Sequence, residues 1–108
     1  MIEKQEETYW VKIEIAGDIH IIKQSCREFC WEGCCVRIIP VDFIYTGGEE
    51  AGASIMLVNY PRFPQTKQEV WEQAKRIALK LRKDAHQWSV MLMAPDKTEW
   101  ITTREEKQ

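Results

Sequence analysis

The stretch CVRIIPVDFIYTGGEEAGASIMLVNY, residues 35–60, has the pattern of two β-strands joined by a turn. Its β-branched and aromatic residues favour the pleated surface of a sheet. Three glycines, Gly47, Gly48 and Gly52, permit unusual backbone conformations and predict a turn over residues 46–52. Pro40 lacks an N–H donor, so the first strand is expected to lie at a sheet edge or to carry a bulge there.

A strand and a helix are predicted on each side of this hairpin. Residues 9–15 alternate apolar and polar side chains, as in a half-buried strand. Asp18 can cap a first helix that ends at Gly33. After the hairpin, Thr66 and Glu69 form a capping box for a second helix. Two further strands are predicted over residues 88–93 and 99–103.

The resulting order of strands and helices is that of the ferredoxin-like βαββαβ sandwich, an α+β fold. We expect an antiparallel four-stranded sheet with two helices on one face and a short C-terminal hairpin strand. Right-handed crossovers would place the first and third strands side by side. A four-stranded meander with separately docked helices is the alternative. The single domain is expected to span residues 9–103, with flexible ends at 1–8 and 104–108.

Composition narrows the classes of function. The chain has 108 residues and a net charge of −2, so it lacks the overall basic field that favours nucleic-acid binding. It contains no apolar run long enough to span a membrane and no export signal, which predicts a cytoplasmic protein. We therefore expect neither a nucleic-acid nor a membrane partner.

The four cysteines do not have the paired spacing of a zinc site. They lie at Cys26, Cys30, Cys34 and Cys35, far in sequence from both histidines. A free cysteine behaves as a small apolar residue, so filling of the core is the favoured interpretation. A metal or thiolate site and an oxidised pair are the alternatives. We accordingly predict no metal and no cofactor.

A small anion site is predicted at one edge of the sheet. If the C-terminal ends of the first and third strands meet there, two helix N-termini converge with a guanidinium and an ammonium group. The predicted ligand-binding residues are His20, Asn59, Tyr60, Arg62 and Lys67. The alternative for Arg62 is a loop arginine stacked between two aromatic rings, Tyr60 and Phe63.

The sheet face away from the helices is expected to be unusually apolar. Exposed apolar faces of this kind mark partner surfaces, and face-to-face dimerisation of two identical chains is the simplest way to cover one. The predicted interface residues are Trp10, Met56, Val58, Met91 and Met93. The alternative is that the chain terminus or the closing hairpin with Trp100 folds over this face.

Enzyme motifs are missing from the sequence. It contains no Gly-x-Ser-x-Gly, no phosphate-binding Gly-x4-Gly-Lys and no His-Glu-x2-His. We therefore predict no catalytic residues and a protein that is not an enzyme. Two rival classes remain: a small enzyme that uses Glu49, Glu50 or a cysteine, and a structural or assembly protein with no small-molecule ligand.

Three segments resemble small uncharacterised proteins of bacteriophages and prophages: IYTGGEEAG at 44–52, NYPRFP at 59–64 and PDKTEW at 95–100. The resemblance extends over residues 10–100. It implies an accessory protein in the bacterial cytoplasm that blunts host defence by binding a host protein or sequestering a nucleotide signal. The prediction is thus a self-associating, non-enzymatic binding module in which Arg62 holds an anionic group and Tyr60 stacks on a base.

Overall fold

The computed structural model describes residues 1–104 of the chain. The C-terminal segment expected to be flexible lies outside the described residues except for Arg104. In chain order the elements are β1 (Trp10–Ala16), α1 (Ile19–Cys30), β2 (Arg37–Tyr45), β3 (Gly48–Val58), α2 (Lys67–Asp84), β4 (Ser89–Met93) and β5 (Thr98–Thr102).

The five strands form one sheet in the order β2-β3-β1-β4-β5, and every neighbouring pair is antiparallel. The first four strands have the ferredoxin-like order, and β5 extends the sheet beyond β4. The predicted α+β sandwich, with the first and third strands adjacent, is confirmed. The meander is excluded because β1 separates β3 from β4.

Both helices pack on the same face of the sheet. Alternate residues of β1, namely Val11, Ile13 and Ile15, are buried there in one cluster with Ile22 of α1 and Ile77 of α2. This alternation follows from the two-residue period of a strand, which turns successive side chains to opposite faces. Among the described residues, neither helix combines the length and apolarity needed to cross a membrane.

The caps predicted for the helices are present. The Asp18 carboxylate accepts the N–H groups of His20 at 2.7 Å and Ile21 at 3.3 Å. At the start of α2, Thr66 N donates to Glu69 Oε1 and Glu69 N donates to Thr66 Oγ1, which is the reciprocal capping box. These bonds fix where each helix begins.

The central hairpin is longer than the sequence indicates. Tyr45 pairs with Gly48, so the turn comprises only Thr46 and Gly47, and Gly47 adopts the positive φ of +89° that the turn requires. The expected seven-residue turn is wrong because residues 48–52 pair with β2. Gly52 is needed for a different reason, since a Cβ there would overlap the carbonyl oxygen of Ile15. As predicted from Pro40, β2 is an edge strand.

A polar cluster links the two helices at the edge of the apolar layer. The Ser25 hydroxyl is 2 % exposed and donates to Asp84 Oδ2 at 2.6 Å. Lys80 Nζ contacts the same carboxylate and reaches Glu28 Oε1 at 2.8 Å. The hydrogen bonds from Lys80 and then Ser25 lower the pKa of Asp84 below its ordinary value of 3.8. The ionised carboxylate therefore stabilises the packing of α1 on α2.

Replacement of Asp84 by alanine should destabilise the protein by about 1–3 kcal/mol at pH 7, because buried Ser25 loses its acceptor. The folded pKa of Asp84 is depressed, so its contribution is present above the unfolded pKa and is lost as the pH falls through the folded pKa. Urea denaturation should thus show a smaller difference between wild type and Asp84→Ala at pH 3 than at pH 7. Glu28→Gln, at a more exposed site, serves as the control; an equal loss in both variants would contradict the assignment.

Candidate functional site

The predicted site residues lie at two opposite ends of the sheet. Because β1 and β3 are antiparallel, Trp10 pairs with Val58 and Ala16 pairs with Gly52. His20 follows β1 at one end, whereas Asn59 and the loop after it follow β3 at the other. The prediction that the C-terminal ends of β1 and β3 meet at one edge is wrong. The N-termini of the two helices, which follow these strands, therefore do not converge on one site.

The end that holds His20 is poorly suited to an anion. A cleft of about 370 Å³ lies there between the β1–α1 turn and the β2–β3 hairpin. Asp18 and Asp42 both line it, and Asp18 already accepts the first N–H groups of α1. Two carboxylates repel a further negative charge, and the helix N-terminus that could attract one is already capped by Asp18.

The opposite end contains a larger groove. It lies beside the part of β3 that extends past the start of β2. Arg37, the first residue of β2, pairs with Met56, so the main chain of Leu57 and Val58 has no partner strand on that side. The groove has a volume of about 790 Å³ and is lined by residues 33–37, 56–58 and 62–65 together with Tyr60 and Gln73. This volume is typical of small-molecule sites.

Asn59 holds the loop that forms one wall of this groove. Its main-chain N–H donates to Tyr9 O at 2.8 Å, and its side-chain oxygen accepts the N–H of Gln65 at 2.8 Å. Its side-chain amide donates to Glu7 O at 3.1 Å. Loop residues 60–64 are therefore fixed at both ends. Lys67, the first residue of α2, places its ammonium 5.8 Å from the Tyr9 ring centre.

An exposed pair of aromatic rings forms the wall itself. The rings of Tyr60 and Phe63 are stacked, with centres 6.4 Å apart and planes inclined by 22°. They are 48 % and 67 % exposed, respectively. The Arg62 guanidinium lies 5.3 Å from the Phe63 ring centre, in cation–π contact. Such a pair offers a flat apolar surface to a planar ligand.

The groove carries positive charge without a compensating acid. Arg37 and Arg62 both line it, and neither forms a salt bridge with any described residue. No aspartate or glutamate is among the lining residues. The sequence prediction included Tyr60 and Arg62 but not Arg37, because the end of a strand gives no sign of which loop will face it.

A carboxylate lies one helical turn before the groove residue Gln73 on α2. Glu69 precedes Gln73 by four residues and so shares its side of the helix. The main-chain N–H of Thr66, followed by its side chain, lowers the pKa of Glu69 by hydrogen bonding. This group is therefore ionised at neutral pH. It is half of a helix cap, which is why the sequence pattern indicated only a structural role.

The four cysteines differ in burial and in position. Cys26 is buried as expected, but Cys35 is exposed, and both Cys34 and Cys35 line the groove. Burial raises the pKa of Cys34 to about 12 and that of Cys26 to about 11, so both remain protonated thiols at neutral pH. All four are free, and the described residues contain no group of three or more side chains arranged to hold a metal.

The open face of the sheet carries the residues predicted to form an interface. Strand register aligns Trp10 with Val58 and places Met56 and Met93 on either side of Lys12. Trp100 of β5 pairs with Met91 and is 51 % exposed on the same face. The closing hairpin thus extends this face instead of folding over it. Its use as an interface stays a prediction.

No protein-family model matches the chain, and no curated protein matches its sequence. Two solved structures share its fold. A phage SAM lyase in the apo state has a TM-score of 0.77 and 14% identity, with 99% of each chain covered. A phage SAM lyase in complex with S-methyl-5′-thioadenosine has a TM-score of 0.71 and 13% identity, covering 99% of this chain and 98% of the other.

These neighbours correct one prediction and agree with another. Both are named as enzymes, which contradicts the expected non-enzymatic binding module and the expectation that the protein is not an enzyme. The motifs that were sought belong to other enzyme classes, so their absence from this chain did not exclude a lyase. Both neighbours are phage proteins, in agreement with the resemblance to bacteriophage proteins.

Replacement of Asn59 by alanine should loosen the groove wall, because it removes the side-chain hydrogen bonds to Gln65 and Glu7. We expect about 1–3 kcal/mol of lost stability, since Gln65 N–H is left without its acceptor. Limited trypsin digestion should cleave after Arg62 several times faster than in wild type. Gln68→Ala, which removes an exposed bond on α2, is the control. Unchanged cleavage in Asn59→Ala would show that the loop is held by other contacts.

Proposed function

We propose that the protein is a lyase that cleaves S-adenosylmethionine (SAM), with the groove beside loop 59–65 as its substrate site. The observation that carries the proposal is the stacked Tyr60–Phe63 pair, which borders an unpaired strand edge in a fold shared with phage SAM lyase. The aromatic pair and the free strand edge together suit an adenosyl compound, because each supplies a separate contact.

Adenine can be bound through both its face and its edge. Its face would stack on Tyr60 and Phe63, a contact worth about 1–3 kcal/mol per base. Its hydrogen-bonding edge would meet the main-chain N–H and C=O of Val58, which point away from β1 on the side where β3 has no partner strand. A free strand edge offers both donors and acceptors, so the match to the base requires no additional polar side chain.

Cleavage of SAM by a lyase requires few catalytic groups from the protein. Sulfonium sulfur is a good leaving group, and rupture of its bond to the Cγ of the methionine half releases S-methyl-5′-thioadenosine. A lyase uses no water, so the remaining four-carbon fragment supplies the electron pair. Either its own carboxylate attacks Cγ and closes a lactone, or a Cβ proton is lost to solvent and a Cβ–Cγ double bond forms. Positioning of the substrate can then account for much of the rate. Glu69, ionised and one helical turn from the groove residue Gln73, is suited to attract the cationic part of SAM.

The biological setting follows from the same reaction. Host DNA methyltransferases and some restriction systems require SAM, so its removal in the bacterial cytoplasm would blunt defence. The phage origin of both structural neighbours supports this setting. An enzyme can remove many SAM molecules in succession, whereas a sequestering protein removes only one ligand for each binding site.

Purified protein should convert SAM to S-methyl-5′-thioadenosine, measured by liquid chromatography. Replacement of both groove aromatics, as Tyr60→Ala with Phe63→Ala, should lower kcat/KM by about tenfold to a hundredfold because the stacking surface is lost. Tyr45→Ala, an exposed aromatic on the distant hairpin, is the matched control and should retain activity. If wild type forms no thioadenosine product, the proposed function is wrong.

We also infer that the open sheet face binds further copies of the chain. Met91 and Met93, with Trp10 and Trp100, would otherwise leave an apolar surface in water, which favours association. Lys12 and Glu14 lie among them and can select a partner by charge.

Sedimentation should show an oligomer for wild type and a smaller species for Met91→Lys. Lysine is tolerated in the monomer because Met91 pairs with Glu14 across the strands, but it places a charge inside the interface. Leu79→Lys, at an exposed apolar site on α2, is the control and should leave the oligomer intact. A wild-type monomer would refute this part of the proposal.

A further inference from the structure

Arg37 has unused hydrogen-bonding capacity at the groove. Among the described residues, its guanidinium makes a single polar contact, from Nη2 to the thioether sulfur of Met56 at 3.3 Å. Thioether sulfur is a weak acceptor, whereas a guanidinium presents five donors in a planar fork. The side chain is exposed and lines the groove at the point where β2 begins. Most of its donors are therefore available to a ligand.

The second groove arginine is in a different situation. The Arg62 guanidinium lies 5.3 Å from the Phe63 ring centre and so extends the aromatic wall. Arg37 instead stands in a row with Met56 and Lys12 across the open face, because Met56 pairs with both. Two cations thus flank Met56, and no acid lines the groove. The position of Arg37 is the one that favours a small anion.

The proposed substrate supplies that anion, whereas the thioadenosine product does not. SAM has a neutral adenosine half and an amino-acid half with a free carboxylate. S-methyl-5′-thioadenosine retains the adenosine and carries no charged group at neutral pH. Contacts to adenosine alone therefore leave Arg37 without a role. A carboxylate matches its fork through two parallel hydrogen bonds, and such charge-assisted pairs are stronger than neutral ones.

We propose that Arg37 is a specificity-determining residue that binds the α-carboxylate of the amino-acid half of the substrate. This inference rests on the proposed function, because it takes the groove as the adenosyl site. It selects adenosyl sulfur compounds that carry a carboxylate over those that lack one. It also accounts for product release, since the thioadenosine fragment loses this ionic contact when the bond to Cγ breaks.

Calorimetric titration with two stable probes separates these contributions. S-adenosylhomocysteine has the adenosine half and the amino-acid half with its carboxylate, joined by an uncharged thioether sulfur. S-methyl-5′-thioadenosine lacks the amino-acid half. Wild type should bind the homocysteine compound more tightly by about tenfold to a hundredfold, the range of a hydrogen-bonded charge pair. Arg37→Met should abolish this preference without changing the affinity for the thioadenosine. Arg37→Lys should retain part of it.

Two controls make the result specific. Arg76→Met removes an exposed arginine from α2, outside the residues that line the groove, and should leave both affinities unchanged. Adenosine monophosphate tests whether Arg37 instead serves a phosphate, and an affinity equal to that of the homocysteine compound, lost in Arg37→Met, would overturn the carboxylate assignment. A preference that survives Arg37→Met would overturn the inference alone. Failure of wild type to bind either probe would overturn the proposed function and this inference together.

Discussion

The antiparallel pairing of β1 with β3 is the constraint on which the arrangement of the molecule depends. Seven consecutive residue pairs, from Trp10 with Val58 to Ala16 with Gly52, hold the two strands together at the centre of the sheet. The pairing directs one set of side chains into the helix layer and the other to the open face. It also sends the chain segments that follow the two strands to opposite ends of the sheet. The register therefore determines which loops and side chains can meet at each end of the sheet.

The groove arises from a difference in strand length. β3 continues for two residues beyond the start of β2, and the linker from α1 and the loop from β3 enclose the space that remains. Within the sheet the main-chain groups of β3 are satisfied by its neighbours, but at this step one side is open. An opening of this kind combines apolar side chains with free hydrogen-bonding groups of the main chain, a combination that is common in small-molecule sites.

The fold was predictable from the sequence because its signals are local. Alternation over residues 9–15, the Asp18 cap and the Thr66–Glu69 capping box each act within a few residues, and together they determine the order of elements. The site was predictable only in part. Tyr60 and Arg62 stand out in a short proline-containing loop, but Arg37 becomes significant only when the register shows that β2 begins there. His20 was placed with the wrong group although the predicted fold already separated them, since adjacent antiparallel strands have their C-terminal ends at opposite edges of the sheet.

Core and groove overlap at few residues, namely Leu57, which belongs to both, and Cys34 and Val36, which line the groove and pack against the core. The buried cluster consists of side chains from β1, β3, β4 and the two helices, whereas the groove wall consists of exposed loop residues tied down chiefly by Asn59. Substitutions in the wall therefore carry little penalty in folding free energy. A scaffold divided in this way can change its ligand while its backbone persists, and its sequence can drift very far from that of its relatives. Agreement along 99% of the chain at 14% identity is the outcome that such a division allows.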